Sequence, residues 1–309
     1  MSPATPTPAP VPSGGLPLSV WPTAQTPSRW QRHGRYLAAS GAHPAKMLPA
    51  IARQAISAYT SPGELVVDPM CGIGTTLVEA VHLGRRAVGV ELEPRWAGLA
   101  EANLALAHTA DATGAAEVVC GDARDLVHLL PGELHGQVAL VLTSPPYTNA
   151  SYNHGQVRTR PGAGVAKWDN RYSADPGNLG NGSPTRLLAG IEEILTGCRR
   201  VLRPGGLVVL TTRPWRCHGA LVDLPGQVAR AAERAGLVAF ERNVALLAGL
   251  RGNGLVGRAS FFQIDNTRKF RAAGLPVRVV AHEDVLVFRV GLAAAQRPQP
   301  ASPRWPVVR

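Results

Sequence analysis

Lysine is almost missing from this chain. Of 32 basic residues only Lys46, Lys167 and Lys269 are lysine, and the rest are arginine. Acidic residues are also scarce, 21 in all, which leaves a net charge of +11 and a pI near 10.4. That surplus favours polyanionic partners, because neutralised phosphates release their condensed counterions. Cysteine is sparse too. Cys71, Cys120, Cys198 and Cys217 are too scattered for a disulfide framework, and no CxxC pair marks a zinc site, so no metal is expected. No apolar run approaches the ~20 residues of a membrane span. The N-terminus lacks a basic start followed by an apolar core, so no secretion signal is read and the cytoplasm is the expected compartment. Hydrophobic residues at 45% and charged residues at 17% exclude a wholly disordered or fibrous chain.

Proline is unevenly spread. Residues 1–30 hold eight of the 27 prolines, and a stretch of that composition cannot bury a core, so a disordered tail is expected there. A second Pro-rich tail is expected over 293–309, with one folded domain over 31–292. Within that domain helices and apolar strands alternate. Helices are expected over Lys46–Tyr59, Thr75–Leu83, Pro94–Ala107, Arg186–Leu202 and Gln227–Ala235. Strands are expected over Glu64–Val67, Arg86–Glu91, Glu117–Cys120, Val138–Thr143, Leu207–Thr212, Val238–Leu247 and Val285–Val290. The alternation predicts an α/β fold with a parallel sheet covered on both faces. Residues 148–185 break the pattern as a long inserted loop, which compact domains rarely carry without a use for it. Its Arg158, Arg160, Lys167, Trp168 and Arg171 interleave positive charge with aromatic surface, as nucleic-acid backbone and base contacts require. Arg251, Arg258, Arg268, Lys269 and Arg271 form a second basic cluster, readable as target-recognising or as a solvated face.

Three motifs carry chemistry. Val66-Val67-Asp68-Pro69-Met70-Cys71-Gly72-Ile73-Gly74-Thr75-Thr76 sits where the first expected strand turns into a helix. Two glycines there admit a ligand close to the backbone, and the helix start offers free N–H groups. Leu77 stands where a dinucleotide fingerprint would have its third glycine. Glu91 follows at the end of the second strand, placed to hold a ribose diol, and Asp122 after the third strand either reaches an adenine amino group or caps the next turn. Thr143-Ser144-Pro145-Pro146-Tyr147 closes the fourth strand, with a hydroxyl acceptor, a rigid turn and a flat ring.

The segment Asp68–Thr76 together with Thr143–Tyr147 resembles the class I S-adenosylmethionine-dependent DNA amino-methyltransferases of the N4-cytosine/N6-adenine group. His43-Pro44-Ala45-Lys46 is similar to the family's HPxK segment, and the motif order is that of its gamma arrangement. The resemblance spans about Gly41 to Val290. It implies a Rossmann-like fold with a mixed seven-stranded sheet and S-adenosylmethionine as cofactor. It implies that Asp68, Pro69, Cys71, Gly72 and Gly74 surround the methionine part, with Lys46 near its carboxylate. Glu91 would hold the ribose and Asp122 the adenine. Ser144, Pro145, Pro146 and Tyr147 would form the catalytic pocket. Ser at position 144 is commoner among the N4-cytosine members, so site-specific methylation of DNA at cytosine N4 is expected; whether a restriction-enzyme partner goes with it the sequence leaves open. N6-adenine and RNA amines are the alternatives, and a non-catalytic nucleic-acid-binding module stands last. Cytosine-C5 chemistry is a poor fit, since it needs a cysteine nucleophile beside the base and no Pro-Cys pair occurs.

Overall fold

The computed structural model describes residues 15–147, 175–217, 219–259 and 261–291. Arg158, Arg160, Lys167, Trp168 and Arg171, the expected tail over 293–309 and the first 14 residues lie outside the described residues. In chain order the elements are β1 (Val20–Trp21), α1 (Ser28–Arg32), α2 (Pro49–Tyr59), β2 (Leu65–Asp68), α3 (Thr75–His82), β3 (Arg86–Glu91), α4 (Pro94–Thr109), β4 (Ala115–Cys120), α5 (Leu126–Leu129) and β5 (Val138–Thr143). There follow α6 (Pro184–Val201), β6 (Leu202–Thr212), β7 (Trp215–Cys217), β8 (Ala220–Val222), α7 (Leu224–Arg234), β9 (Leu237–Leu246), β10 (Ala248–Arg251), β11 (Gly254–Gly257), α8 (Phe261–Ala272) and β12 (His282–Val290).

Eight strands form one sheet in the order β1-β9-β12-β6-β5-β2-β3-β4. β12 is antiparallel to both its neighbours, and the other pairings are parallel. This is the Rossmann-like class I methyltransferase arrangement with helices on both faces. Seven strands were expected; the eighth is the two-residue β1 at the edge. From β2 the chain steps outward to β3 and β4, then returns to the other side of β2 as β5. The reversal leaves a crevice between the carboxyl ends of β2 and β5, where open α/β sheets bind ligands.

The central strands alternate between two cores. Leu65 and Val67 of β2 pack with α6 and α7, while Val66 packs with α2 and α3. All six residues of β5 are buried, which is why it reads as a continuous apolar run. Prolines set several helix starts. α2 begins at Pro49 rather than Lys46, because the residue before a proline is pushed out of the helical region and Leu48 is extended (ψ 129°). Pro184 opens α6 behind Ser183, whose hydroxyl accepts from the Arg186 N–H at 3.2 Å.

Residues 15–30 do not form the unordered stretch expected of them. Trp21 is buried and β1 pairs with β9, while α1 lies within the same strap. A tryptophan and one pair of strand residues gain order from a neighbour more than 200 residues away, which composition does not reveal. Likewise residues 175–185 of the expected loop are built: Asn178 accepts from the Gly180 N–H at 2.9 Å, and α6 has already begun. No helix among the described residues is long and apolar enough to cross a membrane.

Candidate cofactor and base site

The glycine loop leaves β2 at Asp68 and enters α3 at Gly74. Gly72 and Gly74 take positive φ (55° and 79°), a conformation that a side chain resists. Space is also tight. A Cβ on Gly74 would lie 3.1 Å from Ala100 Cβ, and one on Gly72 would lie 3.3 Å from His43 Nε2. The loop is pinned to β3 by the Cys71 N–H donating to Val90 O at 2.9 Å. Gly74 caps α3 with no side chain, so N–H groups of the first helical turn stay open to an anionic group.

Asp68 is buried at 4% exposure. Its carboxylate accepts from Thr76 Oγ1 at 2.6 Å and from the Met70 N–H at 3.1 Å. Burial raises its pKa to about 6 despite those bonds. Glu91 accepts from the Gly72 N–H at 2.8 Å and the Glu93 N–H at 2.9 Å, and burial again raises its pKa. A carboxylate has about four acceptor positions, so Glu91 keeps room for two hydroxyls while bracing the loop.

Lys46 donates to the carbonyls of His43 and Gly41. Burial, then the nearby Arg32 charge, lowers its pKa to about 8. His43 lies edge-on to Trp96 (4.7 Å between rings) and covers Gly72. The HPxK segment therefore packs directly against the loop. Burial holds His43 neutral, with its pKa lowered to about 3. Pro69, next after Asp68, is buried as well.

Two of the expected residues have contacts of their own within the chain. The Cys71 thiol points inward: a Cβ on Gly89 would lie 2.8 Å from its sulfur, and burial pushes its pKa up. Its backbone shapes the loop while its side chain fills the core. The Asp122 carboxylate accepts from the Arg124 N–H at 3.0 Å and pairs with the Arg124 guanidinium, which lowers its pKa. Asp122 thus caps the next turn.

On the other side of the crevice, Ser144 and Pro146 are half-buried and Pro145 is buried, directly after β5. The Tyr147 ring meets Trp215 edge-on at 5.9 Å and lies under the Arg213 guanidinium at 5.8 Å. Arg213 and Trp215 follow β6 and escaped the sequence reading; the run Thr211-Thr212-Arg213-Pro214-Trp215 at a strand's carboxyl end was the available signal. Thr76, which clamps Asp68, was also missed.

The donor set fits S-adenosylmethionine: the carboxylates would serve its cationic part and ribose, the helix N–H groups its carboxylate, and the glycines a close approach to backbone. Among the described residues no His/Cys/Asp/Glu group could hold a metal ion.

Because Asp68 holds its proton more tightly folded than unfolded, its ionisation costs stability. Cofactor-free protein is expected to lose on the order of 3 kcal/mol from this residue as pH rises from 4 through 6. Asp68→Asn should abolish that part of the slope in urea titrations. Cofactor binding should tighten over the same interval, since a cationic ligand favours the ionised carboxylate. Calorimetry showing a flat affinity between pH 5 and 7 would count against this placement.

Comparison with known proteins follows the same lines. A family profile described as DNA methylase (N6/N4) matches residues 7–102, a stretch holding Lys46, the glycine loop and Glu91 but not Ser144–Tyr147. The tRNA (guanine(10)-N2)-dimethyltransferase of Methanocaldococcus jannaschii is 30% identical over 116 residues, 37% of this chain and 32% of that protein. The Type II methyltransferase M2.DpnII of Streptococcus pneumoniae is 35% identical over 65 residues, 21% of this chain and 24% of that protein. The matched part thus spans a third or less of these relatives. The crystal structure of TrmN from Thermus thermophilus superposes with a TM-score of 0.49 at 18% identity, over 85% of this chain and 53% of that one. By its strand order the chain has the class I methyltransferase fold, and its cofactor is S-adenosylmethionine.

Proposed function

We propose that the chain transfers a methyl group to an exocyclic amine of a nucleic-acid base, cytosine N4 in DNA before others. The observation that supports it is Ser144-Pro145-Pro146-Tyr147 facing the Asp68–Gly74 loop across the switch-point crevice. When bound, S-adenosylmethionine supplies an electrophilic methyl group. The chain's own residues must make the amine attack it. An exocyclic amine is a weak nucleophile because its lone pair is delocalised into the ring. Ser144 Oγ and the Pro145 carbonyl accept the two amine hydrogens, which favours a tetrahedral nitrogen with its lone pair free. Orientation and preorganised acceptors are the main catalytic effects. Serine is a poor base at neutral pH, so the proton leaves after transfer. The Tyr147 ring stacks on the extruded base, at a gain of ~1–3 kcal/mol.

The tRNA-modifying relatives favour a second reading, an RNA amine as acceptor. A restriction-enzyme partner goes with the DNA reading alone, whereas a cytoplasmic location goes with either. The deciding assay uses labelled S-adenosylmethionine with unmodified genomic DNA or total RNA, then nucleoside mass spectrometry. N4-methylcytosine in DNA is the expected product. N6-methyladenine keeps the mechanism and changes the base; label confined to RNA replaces the first reading with the second.

A further inference from the structure

Residues 247–281 connect β9 to β12 and hold the β10–β11 ribbon and α8. Their placement is fixed by strand direction. β9 and β6 are both antiparallel to β12, and β6 is parallel to β5. The carboxyl end of β9 therefore lies at the same sheet edge as Ser144. β12 starts at that edge, with His282 opposite Leu246. The segment leaves and re-enters the sheet beside the site. It also touches the base pocket's wall: a Cβ on Gly219, in the β7–β8 turn, would lie 2.9 Å from Leu275 Cδ1, and β7 carries Trp215, which abuts Tyr147.

Its charge is one-sided. Arg251, Arg258, Arg268, Lys269, Arg271 and Arg278 are all exposed, against a single acidic residue, Asp265. Lys269 pairs with Asp265 at 2.7 Å. None of the five arginines has a carboxylate partner among the described residues. The ribbon also shows apolar surface, with Leu250 52% and Leu255 57% exposed. These two leucines are directly paired across it, so they share one face.

An isolated two-stranded ribbon is only marginally stable in water, yet this one is anchored. The Leu250 N–H donates to Gln25 Oε1 at 3.2 Å, the Arg258 N–H to Leu247 O at 3.0 Å, and Thr23 Oγ1 to Leu246 O at 2.8 Å. The strap at residues 19–31 thus stiffens the ribbon's base. A rigid basic ribbon with an apolar cross-strand pair suits one polyanion best. The major groove of B-DNA, about 12 Å wide, admits a two-stranded ribbon and offers base edges and methyl groups. The deep, narrow major groove of A-form RNA does not.

We propose that residues 247–281 are a duplex-DNA contact surface, with the β10–β11 ribbon in the major groove and the arginines on the flanking phosphates. The inference rests on the nucleic-acid reading of the site and assigns its substrate class. The test uses the full-length chain and fluorescence anisotropy on labelled duplex DNA and RNA of the same sequence. The variants are Arg251→Ala/Arg258→Ala and, separately, Leu255→Ser. The double variant should bind a duplex of about 30 base pairs about tenfold more weakly at ~100 mM salt, with the slope of log affinity against log salt reduced by about 2. Leu255→Ser should weaken duplex binding and leave the slope unchanged. Both variants should keep wild-type cofactor affinity by calorimetry and wild-type melting temperature. Wild-type DNA affinity in both variants overturns the proposal and spares the methyltransferase reading, as does an equal loss on the RNA duplex. A wild-type chain that binds cofactor but neither DNA nor RNA overturns both.

Discussion

Replacing Glu79 with alanine is expected to lower the unfolding free energy by about 3 kcal/mol. Glu79 lies on α3, one turn beyond the glycine loop, and is fully buried. Its carboxylate accepts from Tyr36 Oη at 2.8 Å, from Arg35 Nη2 at 2.8 Å and from Arg53 Nε at 3.1 Å. These partners belong to the strap after α1 and to α2, so one buried charge joins three chain segments around the cofactor loop. Burial, then the Glu79 charge, pushes the Tyr36 hydroxyl's pKa far up, which keeps it a donor at all working pH. Alanine would leave two guanidiniums without their carboxylate and the buried Tyr36 hydroxyl with the Thr75 carbonyl at 3.5 Å, and breaking a buried pair from one side costs ~3–5 kcal/mol. The arginine side chains are 22% and 28% exposed and can partly rehydrate, which holds the loss at the lower end. Glu79→Gln should lose roughly half as much, since it still accepts from Tyr36. Urea denaturation reads both. An alanine variant within ~0.5 kcal/mol of wild type would mean that the arginines recover their hydration in full. Cofactor affinity should fall along with stability, because α3 carries the loop.

The sequence made legible what local chemistry decides. β5 was bounded to the residue, Val138–Thr143, since a strand buried on both faces is an unbroken apolar run ended by Ser144-Pro145. The loop's backbone shape was legible because Gly72 and Gly74 mark a conformation that other residues do not adopt cheaply. What stayed hidden depends on distant partners. The ordering of Trp21 needs β9, and the ribbon after Leu247 showed only as part of a basic cluster, because its strands are defined by the pairing of Leu250 with Leu255. Helix α8 is polar on most of its surface, so no apolar stripe announced it. At Asp122 the capping of the next turn was legible, but the ion pair with Arg124 was not. At Cys71 spacing placed the residue in the loop, but the direction of its thiol depends on Gly89 of the neighbouring strand.

Ser144→Ala is expected to lower kcat by ~10²–10³-fold, the range seen when one preorganised hydrogen-bonding group is removed from a reacting centre. Cofactor affinity should stay as in wild type, because the glycine loop, Asp68 and Glu91 are carried by β2 and β3 on the far side of the crevice. Base binding should change little as well, since stacking on Tyr147 remains. The loss would therefore fall on kcat rather than on KM, the pattern of an interaction made in the transition state alone. Ser144→Asn restores an accepting oxygen at the end of β5 and should recover part of the rate. Tyr147→Ala should do the reverse, raising KM for nucleic acid by about tenfold through lost stacking and sparing much of the rate at saturation. Tyr147→Phe should stay near wild type, because the ring and its contact with Trp215 are kept. Single-turnover kinetics on the methylated product separates these cases. A Ser144→Ala enzyme within tenfold of wild type at saturating substrate would sink the proposed role: the amine hydrogens would then be held elsewhere, and Ser144 would serve only to start the turn that aims the Pro145 carbonyl.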